Sequence, residues 1–305
     1  MGLRFKRINL YHFSLITLSV TVLVILWGAY VRATGAGAGC GNHWPLCNGA
    51  IVPRQPIVET VVEFTHRITS GLAFLLVLGQ FVIVRQQSSP GHRMRLYASL
   101  AMLFMVIEAL IGAVLVLFEL VAFNTSIARA AVGAFHLLNT FLLLAMITLV
   151  VDGSKNEPEG RFVATGIRFG FLLAGILGVL LIGMSGAITA LGDTLFPSTS
   201  FLGGFTQELK ADAHFLIRLR VWHPMIALIA TLLIYIGMRL PSPGVRQPST
   251  YQLLLSILLI TQLLAGVINV LLLAPVWLQI THLLLADLIW IGLIVYTNHS
   301  QREID

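Results

Sequence analysis

Two ionisable residues at the start of the second long apolar stretch are spaced so that their side chains could act together in chemistry. Glu63 and His66 are three residues apart in the segment Glu63-Phe64-Thr65-His66-Arg67. On a helix, residues with this spacing share one face and lie about one turn apart. Ionisable side chains inside a membrane-length segment are rare and are usually functional. This acid–histidine pair is therefore a candidate functional site, and the surrounding elements must position it.

The composition is that of a helical membrane protein. Of the 305 residues, 57% are hydrophobic and only 10% are charged, and the mean hydropathy is +0.90. A soluble domain carries about 25% charged residues. Apolar runs near the length that spans a bilayer recur along the chain. The predicted spans are 11–31, 62–84, 96–118, 130–151, 165–190, 221–240, 251–273 and 277–297.

The basic residues between these spans predict their orientation. The larger basic set is Arg4, Lys6, Arg7, Arg85, Arg93, Arg95, Lys155, Arg161, Arg168, Arg239, Arg246 and Arg302. The smaller set is Arg32, Arg54, Arg67, Arg129, Lys210, Arg218 and Arg220. The positive-inside bias places the larger set and both termini in the cytoplasm, with the long loops 32–61 and 191–220 outside. The net charge of +6 therefore belongs to loops and indicates no nucleic-acid partner.

The chain also repeats. Gly112 in the third span is followed by His136 in the fourth, and Gly266 in the seventh span is followed by His282 in the eighth, within similar local sequences. Four spans return the chain to its starting side. We therefore expect an all-α polytopic membrane protein of two tandem four-helix bundles, 1–152 and 153–305, related by a pseudo-two-fold axis along the membrane normal. The alternative is that Leu-rich helices simply look alike, but the histidines recur in phase.

Four of the nine histidines occupy matching places: His66, His136, His223 and His282. Each lies in the first turns of an even-numbered span, near the predicted outer face. Two histidines that face each other across a bundle can hold a metal, and heme iron takes two axial histidines from different helices. A single such histidine is more often an interhelical hydrogen-bonding residue. Four at matched depth favour two bis-histidine heme sites, and no clustered third ligand supports zinc.

Arginines lie near these histidines, namely Arg67, Arg129, Arg218 and Arg220. Heme propionates are carboxylates, for which arginine is the usual bidentate partner. An arginine at a membrane interface can equally be an anchor that extends toward the lipid headgroups. Both interpretations stay open for each of the four.

The two halves differ in charge beside their histidines. Aligning His66 with His223 sets Glu63 opposite Arg220. A carboxylate at a porphyrin edge can act as an acid or base, or stabilise a cationic intermediate. The alternative is that Glu63 is a first-turn acid favoured by the helix dipole. The functional interpretation is preferred because the half that contains Glu63 also contains the cysteine pair.

The two cysteines, Cys40 and Cys47, lie in a Gly-rich outer loop. A disulfide is expected in that oxidising compartment. It would be either a redox or gating element over the first site, or a plain loop staple. Glu108, Glu119, Asn139 and Asp287 are also notable in or near the helices, and Asn139 and Asp287 are expected to make interhelical hydrogen bonds rather than to do chemistry.

Taken together, these residues resemble the heme A synthase family, in its bacterial type with a cysteine pair. The resemblance is carried by Glu63-Phe64-Thr65-His66-Arg67, by Trp44-Pro45-Leu46-Cys47-Asn48-Gly49, by Val221-Trp222-His223-Pro224 and by the eight-span repeat. It implies oxidation of the C8 methyl of heme O to a formyl group, which gives heme A for cytochrome oxidases. It also implies a location in the bacterial plasma membrane.

The resemblance further implies a role for each candidate residue. His66 and His136 would hold the substrate heme in the first half, with Glu63 as the catalytic residue. His223 and His282 would be the axial ligands of a heme b cofactor in the second half. A farnesyltransferase-type heme O synthase would supply the substrate, and the lipid bilayer and cytochrome oxidase assembly factors are the other expected partners.

Two functions from another class fit the histidine pairs equally well. One is a bis-histidine membrane cytochrome b that only transfers electrons, and the other is a heme transporter or chaperone without chemistry. Glu63 and the charge difference between the halves favour the enzyme.

Overall fold

The protein is helical throughout the part of the chain that the computed structural model describes, which is residues 9–155, 162, 165–208, 210, 212–241 and 249–301. The helices are α1 (Leu10–Ala33), α2 (Val58–Gln87), α3 (Arg93–Leu117), α4 (Ile127–Lys155), α5 (Gly166–Leu195), α6 (Phe201–Glu208), α7 (Phe215–Arg218), α8 (Trp222–Arg239), α9 (Ser249–Leu271) and α10 (Val276–Ser300). These residues form no β-strand, and Cys47 and Ala50 make only an isolated bridge. The predicted all-α class is confirmed.

Eight helices are long and apolar enough to cross a membrane, as the sequence predicts. They are α1, α2, α3, α4, α5, the continuous segment Phe215–Arg239 that joins α7 to α8, residues Thr250–Leu271 of α9, and α10. The chain is therefore a multi-pass membrane protein. The basic residues Arg4, Lys6, Arg7, Arg161, Arg246 and Arg302 lie outside the described residues, and the orientation of the spans stays a prediction.

Two of the predicted spans begin too late in the sequence. α2 begins at Val58 instead of residue 62, and the sixth span begins at Phe215 instead of residue 221. An apolar run marks the hydrocarbon layer, whereas a helix can continue into polar residues beyond it. For the same reason the stretch 191–220, predicted as a loop, contains the end of α5 as well as α6 and α7.

Local signals define several helix starts. The side chain of Asn9 caps α1 by accepting from His12 N (3.2 Å), and His92 Nδ1 accepts from Met94 N (3.2 Å) at the start of α3. Pro275 occupies the N-cap position of α10, where its missing N–H costs nothing. These N-cap residues define where α1, α3 and α10 begin.

The spanning helices pack as two sets of four. α1 and α3 both contact α2 and α4, while α5 and α9 both contact α8 and α10. The helices that carry the four candidate histidines are thus α2 and α4 in one set, and α8 and α10 in the other. Each pair is separated by helices that touch both members, which is the arrangement in which side chains face across a bundle. The predicted symmetry axis stays a prediction.

The two sets meet along α1, α4, α5 and α10. At the centre the ring of Phe141 stacks on Trp290 with centroids 5.4 Å apart, and Trp290 Nε1 donates to the Phe141 carbonyl (2.7 Å). A Cβ added to Gly183 would lie 2.9 Å from the Phe141 ring, so this glycine lets α5 approach α4. Aromatic stacking and close backbone approach are the contacts that join helices in lipid.

Candidate functional site

The carboxylate of Glu63 is buried and is held from two sides. Oε1 accepts from Arg67 Nε (3.1 Å) and Arg67 Nη2 (2.5 Å), one turn further along α2. Oε2 accepts from the backbone N–H of Cys40 (2.8 Å) in the outer loop. Charge-assisted hydrogen bonds of this kind offset the cost of burying a carboxylate. Glu63 is therefore fixed in one orientation by its own helix and by the disulfide loop.

The helix-dipole explanation for Glu63 does not fit the observed start of α2. Because α2 begins at Val58, the acid in its first turn is Glu59, and Glu63 lies one turn deeper. The dipole effect falls off within the first turn. Glu59 is exposed, whereas Glu63 is only 4% exposed, so burial of Glu63 needs its specific partners.

Arg67 ties this carboxylate to the outer loop. Its Nη1 donates to the carbonyls of His43 and Leu46, both at 2.6 Å. Together with the two bonds to Glu63, these contacts use most of the N–H groups of a guanidinium. The propionate role predicted for Arg67 would have to use the remaining N–H.

The outer loop is fixed on α2 by a disulfide and a glycine. The predicted Cys40–Cys47 disulfide is present, and both cysteines are buried. A Cβ on Gly39 would lie 2.3 Å from the backbone carbon of Glu59, so only glycine allows this approach. Thr60 Oγ1 then donates to the Gly39 carbonyl (2.7 Å). The result is that the N–H of the next residue, Cys40, reaches Glu63.

The two histidines of the first set have unused ring nitrogens. Nδ1 of His66 and Nδ1 of His136 are buried and have no hydrogen-bond partner within the described residues. A Cβ on Gly28 of α1 would lie 2.9 Å from His66 Cε1, so glycine leaves the space that the ring of His66 occupies. Unpaired buried polar atoms are costly and are expected at sites that receive a ligand.

A second carboxylate lies beside His136. Glu108 Oε1 of α3 is 3.4 Å from His136 Nδ1. The same carboxylate accepts from Asn139 Nδ2 (2.6 Å) at Oε2 and lies 2.5 Å from Thr140 Oγ1 at Oε1. The interhelical hydrogen bond expected of Asn139 is thus present, and it holds the carboxylate of Glu108 beside a candidate ligand.

In the second set the imidazoles of His223 and His282 face each other. Their ring centroids are 6.4 Å apart and their planes are inclined by 69°. Ser185 Oγ lies 3.1 Å from His223 Nδ1, and Gln262 Nε2 lies 3.1 Å from His282 Nε2. The other ring nitrogen of His282, Nδ1, is buried and contacts no hydrogen-bonding group of the described chain. Each ring is therefore oriented through one nitrogen.

Glycines again stand under the rings of the second set. A Cβ on Gly186 of α5 would lie 3.0 Å from His223 Cε1, and a Cβ on Gly266 of α9 would lie 3.3 Å from His282 Cε1. Gly186 therefore stands to His223 as Gly28 stands to His66. Gly28 and Gly186 occupy similar places in the first and fifth spans of the sequence. The structure shows that each lies beside a histidine ring.

The other arginines predicted to bind propionates differ in their burial and in the hydrogen bonds and ion pairs that they make. Arg220 is buried, forms an ion pair with Asp193 (Nε to Oδ1, 3.0 Å) and donates to the Phe196 carbonyl (2.8 Å). Arg129 Nη1 donates to the carbonyls of Ala122 and Asn124. Arg218 is exposed at the end of α7.

Arg32, which the sequence places among the loop cations, is an internal link between the helix sets. Its Nη1 donates to the Ala190 carbonyl (2.7 Å) and Thr194 Oγ1 (3.0 Å) of α5, and its Nη2 donates to Gln279 Oε1 (2.9 Å) of α10. Its position at the C-terminal end of α1 carries no signal of this, since the partners are far along the chain.

Charges continue into the short helix α6. Burial is the main reason that the pKa of Glu208 is raised; Arg220 lowers it and Asp193 raises it.

Asp287 of α10 is fully buried, and neither of its carboxylate oxygens has a hydrogen-bond partner within the described ranges. The interhelical hydrogen bond expected for Asp287 is therefore wrong for the described structure.

A family model described as cytochrome oxidase assembly protein, COX15-CtaA, matches residues 11–294, a range that extends from the first span into the eighth. The chain belongs to the COX15-CtaA family. The family match confirms the resemblance on which the sequence interpretation rests, and all four candidate histidines lie inside the matched range.

Individual relatives show the same relationship. A protein of Thermus thermophilus named protoheme IX farnesyltransferase is 50% identical over 284 residues, which is 92% of this chain and 46% of that protein. The heme A synthase of Halalkalibacterium halodurans is 32% identical over 166 residues, 53% of each chain. That of Alkalihalophilus pseudofirmus is 30% identical over 166 residues, 54% of this chain and 52% of its own. The chain spans about half the length of the curated relatives that it matches.

Proposed function

We propose that this protein is a heme A synthase, which oxidises the C8 methyl of heme O to a formyl group to give heme A. The observation that carries the proposal is the buried Glu63, held in a fixed orientation one turn from His66. The family and the relatives named heme A synthase support it. In this proposal residues 1–152 hold the substrate and residues 153–305 hold a heme b cofactor.

The residues of the second set fit a heme iron. A metal held about 2 Å from one nitrogen of each ring would separate two imidazole centroids by roughly 6 Å, close to the 6.4 Å between His223 and His282. The hydroxyl of Ser185 would fix the orientation of the first ligand, as outer partners of metal-bound histidines do. When bound, heme b supplies a one-electron redox centre. His223 and His282 would hold it, and Gly186 leaves room for the first ring.

The residues of the first set fit a heme as substrate. Nδ1 of His66 is buried without a partner in the described structure, Nδ1 of His136 faces Glu108, and the two histidines stand on the second and fourth helices of the first set. Gly28 leaves space at the ring of His66. We propose that heme O enters from the lipid and is held between these helices. Arg67, Arg129, Arg218 and Arg220 are the proposed propionate partners, and Arg218 is the exposed one among them.

Glu63 would stabilise positive charge at the edge of the substrate ring. Converting a methyl to a formyl group adds an oxygen atom from water or dioxygen and passes electrons from the carbon to an external acceptor, while protons are released, so positive charge develops near the carbon. A fixed carboxylate in a water-poor site stabilises such charge strongly, because it needs no reorganisation. Both oxygens of Glu63 are already engaged by Arg67 and Cys40. The geometry therefore favours electrostatic stabilisation over proton transfer by Glu63.

The substrate would come from a farnesyltransferase-type heme O synthase. The relative from Thermus thermophilus that carries the name farnesyltransferase contains a region 50% identical to this chain over less than half its length. That likeness supports a working relationship between farnesylation and the step proposed here. The bilayer and cytochrome oxidase assembly factors are the other proposed partners. The proposed location is the bacterial plasma membrane, with both termini in the cytoplasm and the heme sites near the outer face.

Extraction of hemes from membranes tests this proposal directly. The full chain is expressed with a heme O source, and the extracted hemes are separated by chromatography and identified by mass. We expect heme A together with hydroxylated heme O. Recovery of heme b and unmodified heme O alone would overturn the enzyme and leave a bis-histidine cytochrome b or a heme carrier, which the second histidine pair fits equally well.

A further inference from the structure

We propose that Glu108 is a positioning residue, which acts on the substrate heme through His136 and has no counterpart in the second half. The inference rests on the proposed function, because it assigns His136 to the substrate heme. It concerns a carboxylate on α3 that neither the family match nor the relatives single out. Three observations carry it. Glu108 contacts His136, and Asn139 and Thr140 hold its carboxylate in what is here called the clamp. The matching place in α9 is occupied by the neutral residue Gln262.

The contact joins a carboxylate to the nitrogen of a candidate ligand. Glu108 Oε1 lies 3.4 Å from His136 Nδ1, and no hydrogen bond to this buried nitrogen is formed in the described structure. Hydrogen bonds at a site that awaits its ligand are often long and tighten when the ligand binds. With Nδ1 directed at Glu108, the opposite nitrogen of His136 is left for iron.

The clamp comes from the same helix as the histidine. Asn139 and Thr140 follow His136 by three and four residues, so all three share one face of α4. Asn139 Nδ2 contacts Glu108 Oε2 at 2.6 Å, and Thr140 Oγ1 contacts Oε1 at 2.5 Å. Both polar residues of the clamp are buried. A carboxylate inside a membrane bundle needs such donors, and they hold it directly beside the imidazole.

The second half has a neutral residue at the matching place in the sequence, and it contacts the other ring nitrogen of its histidine. Gln262 precedes Gly266 as Glu108 precedes Gly112, by four residues, and its amide lies 3.1 Å from His282 Nε2. The residues three and four after His282 are Leu285 and Ala286, which offer no clamp. An amide can orient an imidazole but carries no negative charge. The carboxylate and its clamp are therefore found, among the described residues, only beside the proposed substrate heme.

A carboxylate partner has a defined effect on an iron-bound histidine. By accepting from the second ring nitrogen it raises the basicity of the ligand, which stabilises the oxidised iron and lowers the reduction potential. That effect suits a heme from which electrons must be taken. A neutral amide leaves the second heme at a higher potential, so that it can accept electrons from the first.

The test exchanges the two residues in the full membrane protein. Glu108→Gln, Gln262→Glu and the control Glu119→Gln are purified with bound hemes, and each heme is titrated with reductant while its absorption spectrum is recorded. Glu119 is a fair control because its carboxylate contacts Asn42 of the outer loop instead of a histidine. We expect Glu108→Gln to raise the potential of the first-half heme only, and Gln262→Glu to lower that of the second-half heme.

Product formation is measured in the same preparations. Loss of an outer partner of a metal ligand typically costs about 10- to 100-fold in activity, and we expect a fall of that size in Glu108→Gln. An unchanged first-half potential in Glu108→Gln with heme still bound would overturn the inference, and so would a wild-type first half that binds no heme. A shifted potential in Glu108→Gln, together with a wild-type protein that makes no heme A, would support the inference and overturn the proposed function.

Discussion

The two helix sets carry their histidines on matching helices and differ in the charge beside them. In both sets the histidines stand on the second and fourth helices, and a glycine of the first helix makes room for a ring, Gly28 under His66 and Gly186 under His223. The first set adds carboxylates at Glu63 and Glu108. The second set has Arg220 and Gln262 in the matching places. Under the proposed function, the comparison suggests that the two sites share their histidine frame and that the charge beside each ligand would decide which site does chemistry.

Removing one histidine from each set should separate the two sites most sharply. His66→Ala is expected to abolish substrate binding and product while heme b stays bound. His223→Ala is expected to abolish heme b and product while heme O is still retained. Heme content by extraction, with the exposed His12→Gln as control, measures both losses. Loss of the same heme in both variants would show that the sets are not independent sites.

Replacing Glu63 should stop the chemistry with little change in binding. Removing one electrostatic stabiliser from an active site costs about 100- to 1000-fold in rate, and we expect a fall of that order in heme A for Glu63→Gln. Glu59→Gln is the matched control, since Glu59 is the exposed acid one turn earlier in α2. If Glu63→Gln still forms product at the wild-type rate, the first half owes its function to other residues.

Replacing the glycine beside a histidine ring should lower product formation in both helix sets. A methyl group at Gly28 would lie 2.9 Å from His66 and at Gly186 3.0 Å from His223, so each ring must shift. Misplacing a ligand by a fraction of an ångström is expected to lower product about 10-fold for Gly28→Ala, with a smaller loss for Gly186→Ala. Gly71→Ala and Gly170→Ala, where a methyl group meets no atom within 4 Å, are the controls and should be neutral. Equal activity in Gly28→Ala and Gly71→Ala would contradict the contact.

The disulfide should have the smallest effect, and only in the first half. Cys40→Ser with Cys47→Ser frees a loop closed by a short ring, which costs about 2 kcal/mol of unfolding free energy. Because Cys40 N–H holds Glu63 Oε2, product should also fall severalfold while the heme b spectrum is unchanged. Thermal unfolding and heme extraction measure the two effects. A drop in stability without any drop in product would make the disulfide a plain loop staple.

Much of the scaffold could be predicted from the sequence. Eight apolar runs predict eight spans, because the thickness of the bilayer sets their length and an unpaired backbone is excluded from lipid. The outer ends are the exception. α2 and the sixth span extend beyond their apolar runs, since polar residues at the membrane surface continue a helix at little cost. The cysteine pair likewise predicts its own disulfide.

The partners of the charged residues were decided by the tertiary structure. The sequence places Glu63 near His66 and points to Arg67 as a neighbour, but the bond from Cys40 N–H depends on how Gly39 lets the loop approach α2. Arg32 and Glu108 each find partners on other helices, at separations that no local pattern reveals. Periodicity and length fix which segments enter the membrane and which residue types they carry. Only the packing of those segments brings distant side chains within hydrogen-bonding distance, and so decides which charges meet which histidines.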